Sequence, residues 1–462
     1  MTATEAVLRP RTDSWLPDRL VASAAERKAG TQLRTDEFAD WLAARGRANH
    51  FAVERIRLAD LQGWSFAPGS GNLTHRSGRF FTVEGLHVVT GQGPVPEWHQ
   101  PIIKQPEVGV LGILAKEFDG VLHFLMQAKM EPGNANLLQL SPTVQATRSN
   151  YTKVHRGSDV KYIQYFTSPG RGRVLADVLQ SEHGSWFYRK ANRNMLVLTD
   201  EDVPLDDDFC WLTLGQIGEL LHRDNVVNMD ARTVLACLPG PEQGPDAWAL
   251  HPDARLLSWF TGERSRHEVR VERIPLDEVR GWTRDEWSIS HDEGRFFRVM
   301  ALAVQAGNRE VTGWTQPLFE PVATGVAAFL TRRFDGVPHV LAHARVEGGF
   351  LDTVELGPTV QYTPANYGHL TGADRPPFLD RVLSAAPEDI RYEARHSEEG
   401  GRFLNAESRY LFVEAGDLGT DVPPGYAWVT PGQLSSLARH GHYVNVQART
   451  LLSCFSTGAV PS

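Results

Sequence analysis

Lys129 and Glu131 stand two residues apart in the stretch Val121 to Glu131, where Leu122, Phe124, Met126, Ala128 and Met130 alternate with His123, Leu125, Gln127, Lys129 and Glu131. A period of two marks a strand with one apolar and one mostly polar face, so the ammonium and the carboxylate project the same way. A second alternation sets Leu138, Leu140, Pro142, Val144 and Ala146 against Gln139, Ser141, Thr143, Gln145 and Thr147. If the two strands pair or lie side by side, Gln139, Thr143 and Gln145 share the polar face, and Arg148, Asn150 and Tyr151 follow directly. A cation, a carboxylate and several amides and hydroxyls suit a polyhydroxylated ligand. The same residue types also compose a solvated sheet face with a surface ion pair, and by themselves they leave both readings open. Pro142 has no N–H, so its strand is expected to be an edge or to be bulged there.

The elements that must position these groups occur twice. Val53-Glu54-Arg55-Ile56 recurs as Val271-Glu272-Arg273-Ile274. From Gly78 to Tyr151 the copy runs without a gap as Gly294 to Tyr367, carrying Phe118-Asp119-Gly120-Val121 onto Phe334-Asp335-Gly336-Val337. The match extends through Trp211/Trp428, Asn228/Asn445 and Cys237/Cys454. We therefore divide the chain into an N-terminal arm (1–34), a first repeat (35–238), a Pro/Gly-rich linker (239–252) and a second repeat (253–462). Each repeat opens with an amphipathic helix, around Phe38, Trp41 and Leu42 in the first. Helices are also expected at Val174 to Gln180 and Thr213 to His222. Strands of an antiparallel or mixed sheet with helices packed on it make an α+β fold.

The two copies can be compared as candidate sites. The second keeps Glu347, Thr359, Gln361, Asn366 and Tyr367, and has Arg345 where the first has Lys129. Around the shared Asn-Tyr the first copy has Arg148, Lys153, His155, Arg156 and Lys161, whereas the second has Pro364, His369, Thr371, Gly372 and Pro377. A pyrophosphate must be met by cations or amide N–H groups, and the first copy is better equipped for it. Trp98 and Trp314, each two residues before a Gln-Pro pair, could stack on a base or a sugar ring. Gly184-Ser185-Trp186-Phe187 and Arg193-Asn194 could line the same pocket.

Composition excludes several classes. Lys+Arg 47 against Asp+Glu 56, a net charge of -9 with the two signs interleaved, argues against nucleic acid as a partner. No apolar run approaches the roughly 20 residues that cross a bilayer, and a cytoplasmic location is expected. The three cysteines, Cys210, Cys237 and Cys454, have no metal-ligand spacing and read as small buried hydrophobes. GxxxxGK[ST], HExxH and GxSxG are absent, and the Gly-rich stretches at Gly69-Ser70-Gly71 and Gly91-Gln92-Gly93 lack a dinucleotide fingerprint. The chemistry is expected to come from side chains, with no cofactor and no metal.

Gln100-Pro101-Ile102-Ile103, Phe118 to Leu125, the run Gln139 to Tyr151 and Val227-Asn228-Met229-Asp230 resemble the family of nucleotide-hexose 2,3-dehydratases of deoxysugar biosynthesis. The similarity spans the chain from about residue 35 onward, duplication included. The resemblance implies two tandem Nudix-like α/β/α sandwich domains, a homodimer, and two sugar-nucleotide pockets per chain of which one is active. It adds Asn228 to the candidate substrate-binding residues. It implies a nucleotide-linked, dTDP-type 4-keto-6-deoxyhexose as substrate, and a 3-ketoreductase or aminotransferase that uses the product. The Nudix box is absent after both Glu131 and Glu347. A Nudix-like sugar-nucleotide hydrolase and a non-catalytic sugar-nucleotide-binding protein are the alternatives. For the dehydration, residue type and strand face nominate Glu131 for acid/base work, Lys129 for enolate stabilisation and Tyr151 as an alternative proton donor.

Overall fold

The computed structural model describes residues 14–90, 95–147, 160–168, 170–239, 248–307 and 312–460. In the first repeat the helix Phe38–Ala48 leads into β1 (Phe51–Ile56), β2 (Trp64–Phe66), β3 (Leu73–His75), β4 (Thr82–Val89) and β5 (Glu97–Lys104). Then come β6 (Val110–Phe118), β7 (Val121–Met130), β8 (Leu138–Pro142), β9 (Val144–Ala146), β10 (Arg173–Ser181), β11 (Ala191–Leu198) and β12 (Phe209–Leu212), followed by the helices Leu214–Leu221 and Met229–Leu235. The second repeat opens with the helix Asp253–Arg266, β13 (Arg270–Ile274), β14 (Trp282–Arg284), β15 (Ser288–His291), β16 (Phe297–Ala306) and β17 (Gly313–Pro321). It continues with β18 (Gly325–Phe334), β19 (Val337–Val346), β20 (Val354–Gly357), β21 (Val360–Tyr362), β22 (Ile390–Ser397), β23 (Glu407–Glu414) and β24 (Tyr426–Val429), and closes with Pro431–Ala438 and Val446–Ser456.

The repeated Phe-Asp-Gly-Val is a hairpin turn: Asp119 and Gly120 adopt φ 48 and 82°, as do Asp335 and Gly336, the backbone that an Asp-Gly pair tolerates. Beyond this turn β6 and β7 pair only as far as Leu114 and Leu125, then splay apart. The run 138–146 fills the fork, β8 pairing with β7 and β9 with β6. The expectation of an irregularity at Pro142 is met by this change of partner, made at Thr143. The Thr143 hydroxyl accepts from Leu114 N–H (2.9 Å) and donates to the Leu125 carbonyl, taking up the last rung of the β6–β7 ladder. Thr359 does the same between Leu330 and Leu341.

Each large sheet is mixed, ordered β10-β11-β6-β7-β12 and β22-β23-β18-β19 with β20 and β24 flanking β19, and only the β11–β6 and β23–β18 pairs are parallel. One face of each sheet contributes to a single apolar core that runs through both repeats, from Leu111, Phe124 and Leu196 to Phe329, Ala342 and Phe412. The other faces have separate clusters, around Leu114, Leu125 and Trp211 and around Leu330, Leu341 and Trp428. The smaller sheets exchange strands. β1 of the first repeat pairs with β16 of the second, and β13 of the second pairs with β4 of the first. The molecule is thus a mixed α/β structure of two similar, interlocked halves.

One expectation is corrected. Val174 to Gln180 is strand β10, not helix; its buried residues Leu175, Ala176 and Val178 face the core, and a bulge between Val174 and Ala176 breaks the alternation that would have identified a strand. The span read as an arm contains the helix Leu16–Ala25, which buries Leu16, Leu20 and Ser23; Ser23 donates to the Leu122 carbonyl.

Candidate active site

The fork brings the predicted strand residues together. Glu131 Oε1 accepts from Gln145 Nε2 (2.8 Å) and lies 3.5 Å from Lys129 Nζ. Gln145 Oε1 accepts from Asn228 Nδ2 (3.2 Å), and Asn228 Oδ1 caps the helix Met229–Leu235 by accepting from Ala231 N–H (2.9 Å). A helix cap therefore orients an amide that orients the carboxylate. Lys129, Glu131, Gln145 and Asn228 are placed as one group.

Three carboxyls that the sequence analysis did not select stand around this group. Glu182, just past β10, accepts from Asn192 Nδ2 (2.7 Å), and Lys190 donates to the same Asn192 through Oδ1 (2.7 Å). Asp230 lies in the first turn of the capped helix and is 2 % exposed. Asp230 Oδ1 and Glu182 Oε2 are buried with no hydrogen-bond partner among the described residues. Glu399 comes from the second repeat. Its loop, after β22, docks on the residues that follow β7: Gly133 N–H donates to the Gly400 carbonyl and Asn405 N–H to the Gly133 carbonyl, both at 2.7 Å. A Cβ on Gly133 would lie 1.7 Å from the Phe403 carbonyl oxygen, so only glycine permits this approach.

The electrostatics follow from burial. Burial, then Glu182, Glu399 and Glu131, raise the Asp230 carboxyl well above the usual range. Burial pushes Glu399 up to about 7, with Glu131 and Glu182 adding to the shift and Arg402 opposing it. Lys190 is driven down to about 8 by desolvation. Glu399 keeps more accessible surface than Glu131, Glu182 or Asp230. The site thus offers groups that give and take protons near neutrality, beside a lysine able to meet a developing oxyanion.

The second repeat builds the same frame with different charges. Arg345 Nε donates to Glu347 Oε1 (2.8 Å), Gln361 Nε2 donates to the same oxygen (2.9 Å), and Asn445 Nδ2 donates to Gln361 Oε1 (2.8 Å). Asp230 is replaced by Gln447, and the position of Glu399 is taken by His183 from the first repeat. His183 lies 3.0 Å from Glu398 Oε2 and 2.7 Å through Nδ1 from Gln447 Nε2. Burial would lower the His183 pKa, but Glu398 outweighs it and raises it. Glu347 and Glu398 thus each face a cation. Tyr367, the counterpart of Tyr151, packs edge-on against Tyr362, whose ring lies under Arg345. Asn366 Oδ1 accepts from Phe296 N–H.

Other predicted residues fall elsewhere. Thr143 and Thr359 use their hydroxyls inside the sheet, as described above. Gln139 is fully buried; its Nε2 donates to Asn136 Oδ1 and its Oε1 accepts from Ser397, so it joins the repeats. Arg193 forms a two-pronged surface ion pair with Asp177. Asn194 is buried in β11 and donates to the Asn192 carbonyl; Asn192, its neighbour, is the residue tied to Glu182. Trp98 and Trp314 donate to Gln100 and Gln316, which in turn donate to the carbonyls of Ser185 and Gly401. The tryptophans thus support the two interlocking loops. Lys161 pairs with Asp206 at the surface. Arg148, Asn150, Tyr151, Lys153, His155 and Arg156 lie outside the described residues. All three cysteines are buried and unpaired. His87, Glu97 and His99 bring ligand-type atoms within 4.8 Å of one another on β4 and β5, where His87 and Glu97 already hydrogen-bond. No helix among the described residues is long and apolar enough to cross a membrane.

The missed carboxyls had one signal in the sequence, the difference between copies: Asp230 against Gln447 and Glu399 against His183. Glu182 and Glu398 are the same in both.

A duplicated fork whose carboxyls, amides and lysines are drawn from both halves is a frame suited to acid–base chemistry. The model of the NDP-hexose 2,3-dehydratase family matches residues 35–238 and again 253–455, and the chain belongs to this family. It is a hydro-lyase. The dTDP-4-dehydro-6-deoxy-alpha-D-glucopyranose 2,3-dehydratase of Amycolatopsis orientalis is 62% identical over 457 residues, covering 98% of this chain and 96% of that protein. Enzymes of the same name from Saccharopolyspora spinosa and Streptomyces violaceoruber are each 52% identical, over 456 and 432 residues, covering 94% and 92% of this chain and 94% and 97% of their own.

Proposed function

We propose that the chain takes a dTDP-linked 4-keto-6-deoxyglucose and removes water across C2 and C3, giving the 3,4-diketo-2,6-dideoxy sugar, and that it does so in the first repeat. The ketone at C4 acidifies H3, and the C2 hydroxyl stands β to that ketone as a leaving group. Glu131 takes H3, and Lys129 stabilises the charge that develops on O4. Tyr151, whose counterpart Tyr367 stands near the second fork, is a further proton donor in this reading. Loss of the hydroxyl leaves an enol, which tautomerises to the diketone. The step is redox-neutral. The Nudix-like sandwich in each half and a homodimer belong to the same reading and rest on the family resemblance; the repeat limits 35–238 and 253–462 rest on the internal duplication, and a cytoplasmic location on the lack of long apolar runs.

The observation that carries the choice of site is the difference in charge. The first fork gathers Glu131, Glu182, Asp230 and Glu399 around two lysines, and burial with the neighbouring carboxyls raises Asp230 and Glu399, whereas in the second Glu347 and Glu398 are met by Arg345 and His183. A carboxyl raised to about 7, as Glu399 is, can give and take a proton at working pH. The test is incubation with dTDP-4-keto-6-deoxyglucose and a 3-ketoreductase that traps the reactive diketone, with and without a chelator. A trapped 2,6-dideoxy sugar is expected in both. No product, or product lost with chelator and restored by a divalent metal, would overturn the reading.

A further inference from the structure

The dehydration needs two proton-handling groups, a base for H3 and an acid for the departing hydroxyl, and the fork of the first repeat supplies Glu131 for one of them. Among the described residues, Glu399 reaches the same place from outside that repeat. A Cβ on Gly401 would lie 2.3 Å from Glu399 Oε1 and 3.8 Å from Glu131 Oε1, so the two carboxyls meet over this glycine. The Gly401 N–H donates to Glu399 Oε1 (3.0 Å), and the loop is pinned on the far side by Gly133 and Asn405. Glu399 is also the more accessible of the two carboxyls.

We propose that Glu399, carried into the first repeat's site by the second repeat, is the general acid that protonates the C2 hydroxyl as it leaves. This rests on the reaction assigned above. Glu131 takes H3 as a proton, and the C3–H electron pair becomes the C3=C4 bond of an enolate held by Lys129. When the enolate collapses, the C4=O bond re-forms, the C3=C4 pair shifts to C2=C3, and the C2–O bond breaks. The leaving oxygen takes the Glu399 proton and departs as water, and the enol proton on O3 moves to C2 in the final tautomerisation. The charged and titratable neighbours of Glu399 agree with a carboxyl that keeps its proton near neutrality: Glu131, Glu182 and Asp230 disfavour its ionisation, while Lys129 and Arg402 favour it. The division of labour also explains why the chain keeps both copies. The second repeat donates the acid even where its own fork is charge-paired.

The test separates the two proton transfers. Wild type, Glu399→Gln and Glu131→Gln are incubated in D2O with dTDP-4-keto-6-deoxyglucose, and C3 deuteration and trapped dehydration product are followed together. Glu399→Gln is expected to lose dehydration by a hundredfold or more while C3 exchange stays within a few-fold of wild type; Glu131→Gln is expected to lose both. Wild-type dehydration is expected to fall as pH rises past about 7, and the residual rate of Glu399→Gln to lack that fall. If Glu399→Gln does not fold, Glu399→Asp serves, with a smaller loss of dehydration and the same retained exchange. Dehydration by either variant at the wild-type rate, or loss of exchange as complete as in Glu131→Gln, overturns the proposal. Wild type that neither exchanges nor dehydrates would overturn the assigned reaction itself, a result distinct from failure of Glu399 alone.

Discussion

At the scale of residues, the two forks have nearly the same geometry and differ in the groups around it, Asp230 and Glu399 in the first against Gln447 and His183 in the second. Glu131→Gln keeps the shape and the contact with Gln145 while removing the ionisable carboxyl, so turnover is expected to fall on the order of a hundredfold or more with little change in substrate affinity. Glu347→Gln, at the charge-paired fork, should be far milder. Steady-state kinetics on both folded variants check this, and the reverse pattern would move the live site to the second repeat. Lys190 offers a pH test of a different kind. The residue is buried, and desolvation lowers its pKa from 10.5 to about 8. Between these values the unfolded chain binds more protons than the folded one, so stability rises with pH across that window. Below pH 8 the full penalty stands, on the order of 3 kcal/mol. Urea unfolding from pH 7.5 to 10.5 should show the wild-type midpoint climbing relative to Lys190→Met. Parallel curves would mean that the lysine keeps its ordinary proton affinity.

At the scale of elements, the fork and the docked loop do the positioning. The hairpin at Asp119-Gly120 starts β6 and β7 together, Thr143 ends their pairing, and β8 and β9 enter between them. That geometry puts Gln145 across from Glu131 although the two lie on different strands. The loop carrying Glu399 reaches the fork because Gly133 lets the carbonyls of Gly400 and Phe403 come close. In Gly133→Ala the added methyl has to push that loop away. We expect a loss of about 1–3 kcal/mol in unfolding free energy and a fall in turnover per folded molecule larger than the lost stability explains. Calorimetry and kinetics on the same preparation measure both. A variant that is destabilised but fully active per folded molecule would show that loop docking does not matter to the site.

At the scale of the whole molecule, the halves are not separable beads. They share a core, exchange β1 and β13, and trade buried arginines: Arg232 donates to Thr450 and to the Ser397 carbonyl, and Arg449 donates to Thr233 and to the Ser181 carbonyl. A protease site placed between residues 240 and 247 should therefore yield two fragments that co-elute in native buffer, remain active, and part only in denaturant. Separation on native gel filtration would contradict the shared core. The duplication, the strand Val121 to Met130 and the shared face of Lys129 and Glu131 were legible in the chain itself. Each depends on pattern along the chain: self-similarity and a period of two. The same local reading took β10 for a helix because a bulge interrupts its alternation. A period of two also assigns a face without saying what covers it, and Gln139 and Thr143 spend their polar groups on contacts inside the protein. Strand exchange, the buried carboxyls and the crossing of Glu399 into the other repeat were decided by tertiary structure alone. They join residues hundreds of positions apart, and whether a glutamate is a solvated surface charge or an enclosed proton donor depends on what the rest of the chain packs around it.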